Sequence, residues 1–321
     1  MVGAVRLLAC GQLALRAAFS ASAVDLGLNC SDVNPLAQRV LNNSCNKSEN
    51  ITQSQPTSNV VASYAGFPKD MVKGTSKVLD TGVYGDDACF VSRFKNSFVV
   101  GVADGVGGWR KYGVDPSEFS SKLMKQCEER VVKGDFDPRF PEEILAKAFT
   151  ATAESPRPVG SSTACLLIVH QEKLYSANLG DSGFMVVRDG KVLAKSTEQV
   201  HYFNAPFQLT LPPEGFRGFI GDTPDLADKK EISIKQGDII VIATDGLWDN
   251  LTEKHVLDQL KPLTDQTITV QEACNALALT ARRLAFDSNH NSPFAIKARE
   301  NGFLAPGGKP DDITLVLLLI V

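Results

Sequence analysis

The sequence predicts an α+β layered fold in which β-sheets pack on one another with helices outside. Two observations carry this expectation. Short β-branched or apolar runs come in groups with helical stretches between the groups; they do not alternate one for one, as a doubly wound parallel sheet requires. The most apolar runs, Asp238–Ala243 and Thr314–Val321, need cover on both faces, and stacked sheets with outer helices supply it.

Taken in order, the chain opens with an address. Residues 1–24 carry Arg6 and Arg16, are rich in Ala, Leu and Ser, and hold no acid before Asp25, the composition of a mitochondrial transit peptide. A secretory signal is the competing reading, from the apolar run Leu7–Leu15, Ala21-Ser22-Ala23 and the N-x-S/T sequons at Asn42, Asn46 and Asn50. Arg16 after the apolar run and the unpaired cysteines downstream weigh against it. Residues 25–59 are rich in Asn, Ser and Gln, without periodicity, and read as a linker that cannot bury enough apolar area to offset its ordering entropy. The folded domain is expected over 60–321.

Within it, Ala88–Ser92, Ser97–Ala103, Thr163–Val169, Lys173–Ala177, Phe184–Arg188, Asp238–Ala243 and Ile313–Val321 read as strands. Asp189-Gly190 signals a hairpin leading into Lys191–Ala194. Ser117–Val132 sets Phe119, Leu123, Cys127 and Val131 four apart on one helical face and stops at Gly134. Glu272–Ala285 shows similar spacing, and Glu142–Thr152 and Glu253–Leu260 are shorter helical stretches.

The 321 residues, 43% hydrophobic and 22% charged with a formal charge of −4, have an ordinary globular composition. No clustered basic face speaks for nucleic acid, and no apolar run of 18 residues speaks for a membrane span. The seven cysteines lack metal-type spacing; Cys89, Cys127, Cys165 and Cys274 sit in apolar stretches as free buried thiols.

Chemistry concentrates in acids at strand ends. Asp86 and Asp87 precede one strand and Asp104 ends the next; Asp245 ends a third, and Asp311 and Asp312 precede the last. In an antiparallel sheet, ends and starts of neighbouring strands share an edge, so these carboxylates can converge. A dry cluster of them would repel unless cations sat among them, and hard oxygen donors suit Mg²⁺ or Mn²⁺. Gly105 and Gly246 let backbone approach closely, and the Gly105 carbonyl is itself a candidate ligand. Asp-Gly is also a common turn dipeptide, so spacing alone leaves a metal site and a set of acidic turns as alternatives.

Six ordered motifs decide between them: GDDA (Gly85–Ala88), DGVGGW (Asp104–Trp109), GSSTA (Gly160–Ala164), NLGDSG (Asn178–Gly183), TDGLWD (Thr244–Asp249) and KPDDIT (Lys309–Thr314). With them the chain resembles the type 2C, metal-dependent Ser/Thr protein phosphatases. The phrases GDDACFV, GVDPSEFS, HYFNAPFQL and GGKPDDIT look like the mitochondrial subgroup. The resemblance implies a four-layer α-β-β-α sandwich with two central antiparallel β-sheets flanked by helices. It implies two Mn²⁺ or Mg²⁺ ions held by Asp86, Asp104, the Gly105 carbonyl, Asp245 and Asp311, with Asp181 near a weaker third. It also implies hydrolysis of phosphoserine and phosphothreonine in proteins by a water activated between the ions, without a phosphoenzyme. Ser162 and Thr163 read as packing and turn residues, since a seryl nucleophile would need a base beside it.

Two departures stand out. Val106 occupies a place where relatives commonly carry a His suited to general-acid work; His201 is a substitute the sequence offers, against the commoner role of a packed or surface histidine. Gly82 stands where relatives often have a phosphate-gripping Arg, with Lys77, Arg110 and Lys111 as replacements. These departures motivate an alternative, a weak or inactive member acting as a binding module. The region Lys195–Lys235, with Tyr202, Phe203, Phe207, Phe216 and Phe219, could form a substrate-facing flap, which keeps small phosphorylated metabolites open as a third class.

Overall fold

The computed structural model describes residues 60–70, 83–215 and 218–321. The expected leader (1–24) and linker (25–59), with Lys77, Gly82 and Phe216, lie outside them.

Fifteen strands are present among the described residues: β1 (Val60–Phe67), β2 (Val83–Tyr84), β3 (Asp87–Phe94), β4 (Ser97–Asp104), β5 (Gly160–Ser162), β6 (Ala164–His170), β7 (Lys173–Leu179), β8 (Gly183–Arg188), β9 (Lys191–Lys195), β10 (Val200–Tyr202), β11 (Ala205–Pro206), β12 (Leu209–Leu211), β13 (Asp228–Ser233), β14 (Ile239–Ala243) and β15 (Ile313–Ile320). The helices are α1 (Pro116–Lys133), α2 (Pro141–Thr152), α3 (Asp245–Trp248), α4 (Glu253–Thr264), α5 (Val270–Ala285) and α6 (Pro293–Glu300).

One sheet runs β1-β15-β14-β8-β9 and the other β13-β7-β6-β4-β3-β2, every pairing antiparallel. Because side chains alternate along a strand, each central strand serves two layers. Val241, Ala243, Leu315 and Leu317 pack under α4 and α5, while Val99, Ala103, Leu166 and Ile168 pack under α1 and α2. The alternate residues Val100, Val102, Ile240, Ile242, Val316 and Leu318 are fully buried on the opposite faces, and β15 meets β3 and β4 there. This is the four-layer sandwich. Burial on both faces explains why these strands read as unbroken apolar runs, each fully buried aliphatic side chain contributing about 1.5–3 kcal/mol.

Local signals set the boundaries. Asp189 and Gly190 both have positive φ, 51° and 72°, as the tight β8–β9 hairpin demands. On α1, Asp115 caps by accepting from the Ser117 N–H at 3.0 Å, Pro116 takes the first turn, and Gly134 closes the helix at φ 71°. The α5 helix starts two residues before the expected Glu272, because Thr269 and Glu272 form a capping box. Sequence reading passed over β1, the short strands β2, β5 and β10–β12, edge strand β13, and helices α3 and α6.

Candidate active site

The edge where β4 and β14 end and β3, β8 and β15 begin gathers the acids. Asp87 faces Asp104 across the β3–β4 pairing, and Ala243 faces both Gly183 and Leu315. Turns leaving these strands bring one carboxylate oxygen each of Asp104, Asp181 and Asp245 within 4.8 Å of one another. Asp86 and Asp311 complete the edge through basic partners. Arg110 donates to both Asp86 oxygens, the longer bond being 3.3 Å, and Lys69 Nζ reaches Asp311 Oδ1 at 3.1 Å. Lys309 lies at the centre. Its ammonium pairs with Asp245, with Asp249 at 2.8 Å and with Asp311 at 3.3 Å.

The backbone carrying Asp104 is held on several sides. Its N–H donates to Thr163 Oγ1 (3.1 Å), while its carbonyl accepts from the Thr163 N–H (2.9 Å) and Ser162 Oγ (2.8 Å). Thr163 Oγ1 also bonds Ser182 Oγ at 2.8 Å, tying the GSSTA and NLGDSG motifs together. Ser162, the last residue of β5, and Thr163 just after it, expected as packing and turn residues, thus hold the Asp104 backbone. At Gly105 an added Cβ would lie 2.7 Å from the Asp86 and Pro116 carbonyl oxygens, so no larger residue fits. At Gly246 a Cβ would strike the Asp312 carbonyl. Asp312 itself accepts from the N–H groups of Lys69 (2.6 Å) and Asp86 (2.8 Å), binding three distant segments.

Electrostatics follow from this crowding. Burial, reinforced by Asp245 and Asp87, pushes the Asp104 carboxyl well above the usual carboxylate range. Burial and Asp245 do the same to Asp181, and burial and Asp312 to Asp87. Burial raises Asp245 to about 6, with Lys309 holding it back and Asp311 and Asp249 adding repulsion. Burial alone would lower the Lys309 ammonium, but Asp245, Asp249 and Asp311 outweigh it and hold it well above its ordinary value. Asp181 Oδ1 is buried with no hydrogen-bond partner among the described residues. Eight carboxylates (Asp86, Asp87, Asp104, Asp181, Asp245, Asp249, Asp311 and Asp312) thus meet three basic side chains. That hard-oxygen, under-neutralised set fits divalent cations.

The structure therefore brings together Asp86, Asp104, Asp181, Asp245 and Asp311, with Gly105 beside them. It does not bring His201, whose Nε2 bonds Asp222 at 2.9 Å and whose ring stacks on Phe207 at 4.3 Å. Of the offered basic replacements, Arg110 reaches the edge. Sequence reasoning gathered Asp87 and Asp312 among the converging acids without giving either a role, and it missed Asp249 and Lys309. Asp249 was detectable, since it follows Asp245 by four residues and a single helical turn stacks such positions; its N–H donates to the Asp245 carbonyl at 2.7 Å. A cleft of about 260 Å³, bordered by Asp181, Asp249, Tyr202 and Phe203, opens beside the acids.

Comparison with known proteins agrees with this geometry. The profile of the protein phosphatase 2C family matches residues 74–282. The chain is 47% identical over 266 residues to the protein phosphatase PTC7 homolog of Homo sapiens, covering 81% of this chain and 87% of that one. It is 47% identical over 275 residues to the Danio rerio counterpart, covering 84% and 91%. Among solved structures, the photosystem II phosphatase PBCP superimposes with a TM-score of 0.69 at 29% identity, over 82% of this chain and 99% of that one. Sandwich, acidic edge and sequence agree: the chain belongs to the protein phosphatase 2C family and is a protein phosphatase.

Proposed function

We propose that the chain hydrolyses phosphoserine and phosphothreonine in proteins by direct attack of water, without a phosphoenzyme, using two Mn²⁺ or Mg²⁺ ions held at the acidic edge. Asp104 and Asp245 would be the central ligands, with Asp86, Asp311 and the Gly105 carbonyl completing the set and Asp181 serving a weaker third ion. The observation that carries this is the approach of Asp104, Asp181 and Asp245 oxygens to within 4.8 Å of one another. Such ions supply a water of lowered pKa and neutralise phosphoryl charge.

The chain's own residues do the positioning. The Thr163 and Ser162 hydroxyls fix Asp104. Lys309 holds a permanent positive charge against Asp245 and Asp249, so their carboxylates stay together. Arg110, whose side chain is 59% exposed, sets its Nε and Nη2 on the Asp86 carboxylate and holds that acid at the rim. The Ser162 and Thr163 hydroxyls beside Asp104 are engaged with backbone and Ser182, so neither is poised as a nucleophile. The retained carboxylates oppose the alternative of an idle binding module, because unused buried acids are costly.

Hydrolysis of a phosphoserine peptide should require added Mn²⁺ or Mg²⁺, and Asp104→Asn and Asp245→Asn should each lower the rate on the order of a hundredfold or more. Activity that persists in a chelator, or that ignores both substitutions, refutes the reading. We further propose that residues 1–24 direct the chain to mitochondria, from their acid-free, Arg-bearing composition. Residues 1–59 fused to a fluorescent protein should enter mitochondria, and secretion of the fusion would overturn this.

A further inference from the structure

The acidic edge accounts for the phosphoryl group but leaves an apolar surface beside it unexplained. The cleft of about 260 Å³ shares Asp181 and Asp249 with that edge; Tyr202, Phe203 and Phe294 form its aromatic wall, with Glu198, Asn204, Lys297 and Asn301 around it. The Phe203 ring lies 5.3 Å from Phe294 and stacks on Phe303 at 5.1 Å. These rings come from two separate segments, the β10–β11 hairpin and the α6 helix with the turn after it, so one amphipathic element does not explain them. Nor does core packing: Tyr202 is 64% exposed, Phe303 56% and neighbouring Leu304 93%. Apolar side chains ordered against each other yet open to water mark a binding surface.

We propose that this cleft is a subsite for an apolar side chain flanking the phosphorylated residue of a protein substrate, an inference resting on the phosphatase reading above. Its volume lies below the range of about 300–1,000 Å³ typical of whole-ligand pockets, and suits one large side chain. An extended peptide advances about 3.3 Å per residue. A residue one or two places from the phosphoserine therefore falls beside Asp181, which belongs to both edge and cleft. The aromatic wall favours leucine or phenylalanine there, while Glu198, Asn204, Lys297 and Asn301 give the cleft a polar rim.

The test uses the full chain with Mn²⁺ and two phosphoserine peptides, identical except that the residues flanking the phosphoserine are leucine and phenylalanine in one and glycine in the other. The parent should show kcat/KM about tenfold higher on the apolar-flanked peptide, with the difference in KM, as expected for contacts equal in ground and transition states. Phe203→Ala should bring the ratio between the peptides close to one. Phe303→Ala, at an exposed position whose truncation spares the core, should lower it in the same direction. Equal kcat/KM on both peptides in the parent, or a ratio indifferent to both substitutions, overturns the subsite. Hydrolysis of neither peptide overturns the phosphatase reading itself, and the subsite with it.

Discussion

Thr163 carries no charge, yet its hydroxyl and its N–H both bond the Asp104 peptide groups. A central carboxylate is only as well placed as the backbone behind it, and outer partners of metal ligands typically matter by 10–100-fold. Thr163→Val keeps the shape and removes the hydroxyl; we expect about a tenfold fall in kcat/KM and weaker Mn²⁺ binding by titration, with the fold intact by circular dichroism. Unchanged Mn²⁺ affinity would show that Thr163 only packs. Asp86, Asp104, Asp245 and Asp311 were legible in the sequence because each stands where an apolar run begins or ends, and strand ends share an edge. Lys309 was not legible, because nothing in KPDDIT says that a lysine turns inward. Its direction is set by Asp245, Asp249 and Asp311, which come from two regions of the chain. His201 follows the same logic: Asp222 and Phe207 decide where its ring points.

At the level of elements, the long strands announced themselves because their burial on both faces demands apolar residues throughout. The short ones could not. Two- and three-residue strands such as β2, β5 and β11 have no period to detect, and their pairing is dictated by tertiary neighbours. Strand β13, DKKEIS, alternates half-buried with exposed residues at the edge of its sheet; charged residues there discourage pairing with another molecule. Helix α6 did carry a signal, Ser292 before Pro293, and the Ser292 hydroxyl caps it by accepting from the Ala295 N–H at 3.0 Å. The far ends of β8 and β14 are joined by an ion pair. Arg188 Nε and Nη2 donate to Asp238 at 2.7 and 2.6 Å, with Asp238 fully buried and Arg188 25% exposed. Arg188→Ala leaves the fully buried Asp238 carboxylate without its cation and should cost about 3–5 kcal/mol, read as a lower urea midpoint. Because this pair sits at the opposite end of the strands from Asp245, activity per folded molecule should hold; a fall in kcat at full folding would contradict that separation.

Across the whole molecule, the acidic edge sets stability against pH. Asp245 titrates at about 6 in the fold against an ordinary value of 3.8, so the cation-free fold binds this proton more tightly than the unfolded chain does. That contribution is complete below pH 3.8 and is lost as the pH rises through 6, where ionised carboxylates repel within the edge. Cations binding only the fold replace the missing protons. The rise in Tm on adding Mn²⁺ should therefore be small near pH 5 and grow as the pH passes 6. A Tm rise that is flat across that range, or equal in Asp245→Asn, would show that Mn²⁺ acts elsewhere. One residue has a temporal consequence as well. Asp312 fastens the segments at Lys69 and Asp86, and its carbonyl nests against Gly246, while β15 behind it lies between β1 and β14. On the ribosome every other carboxylate of the edge emerges earlier. A nascent chain halted before residue 311 lacks the ties from Asp312 to Lys69 and Asp86 and the central strand β15, so the edge is not fastened as it is here until β15 has been made.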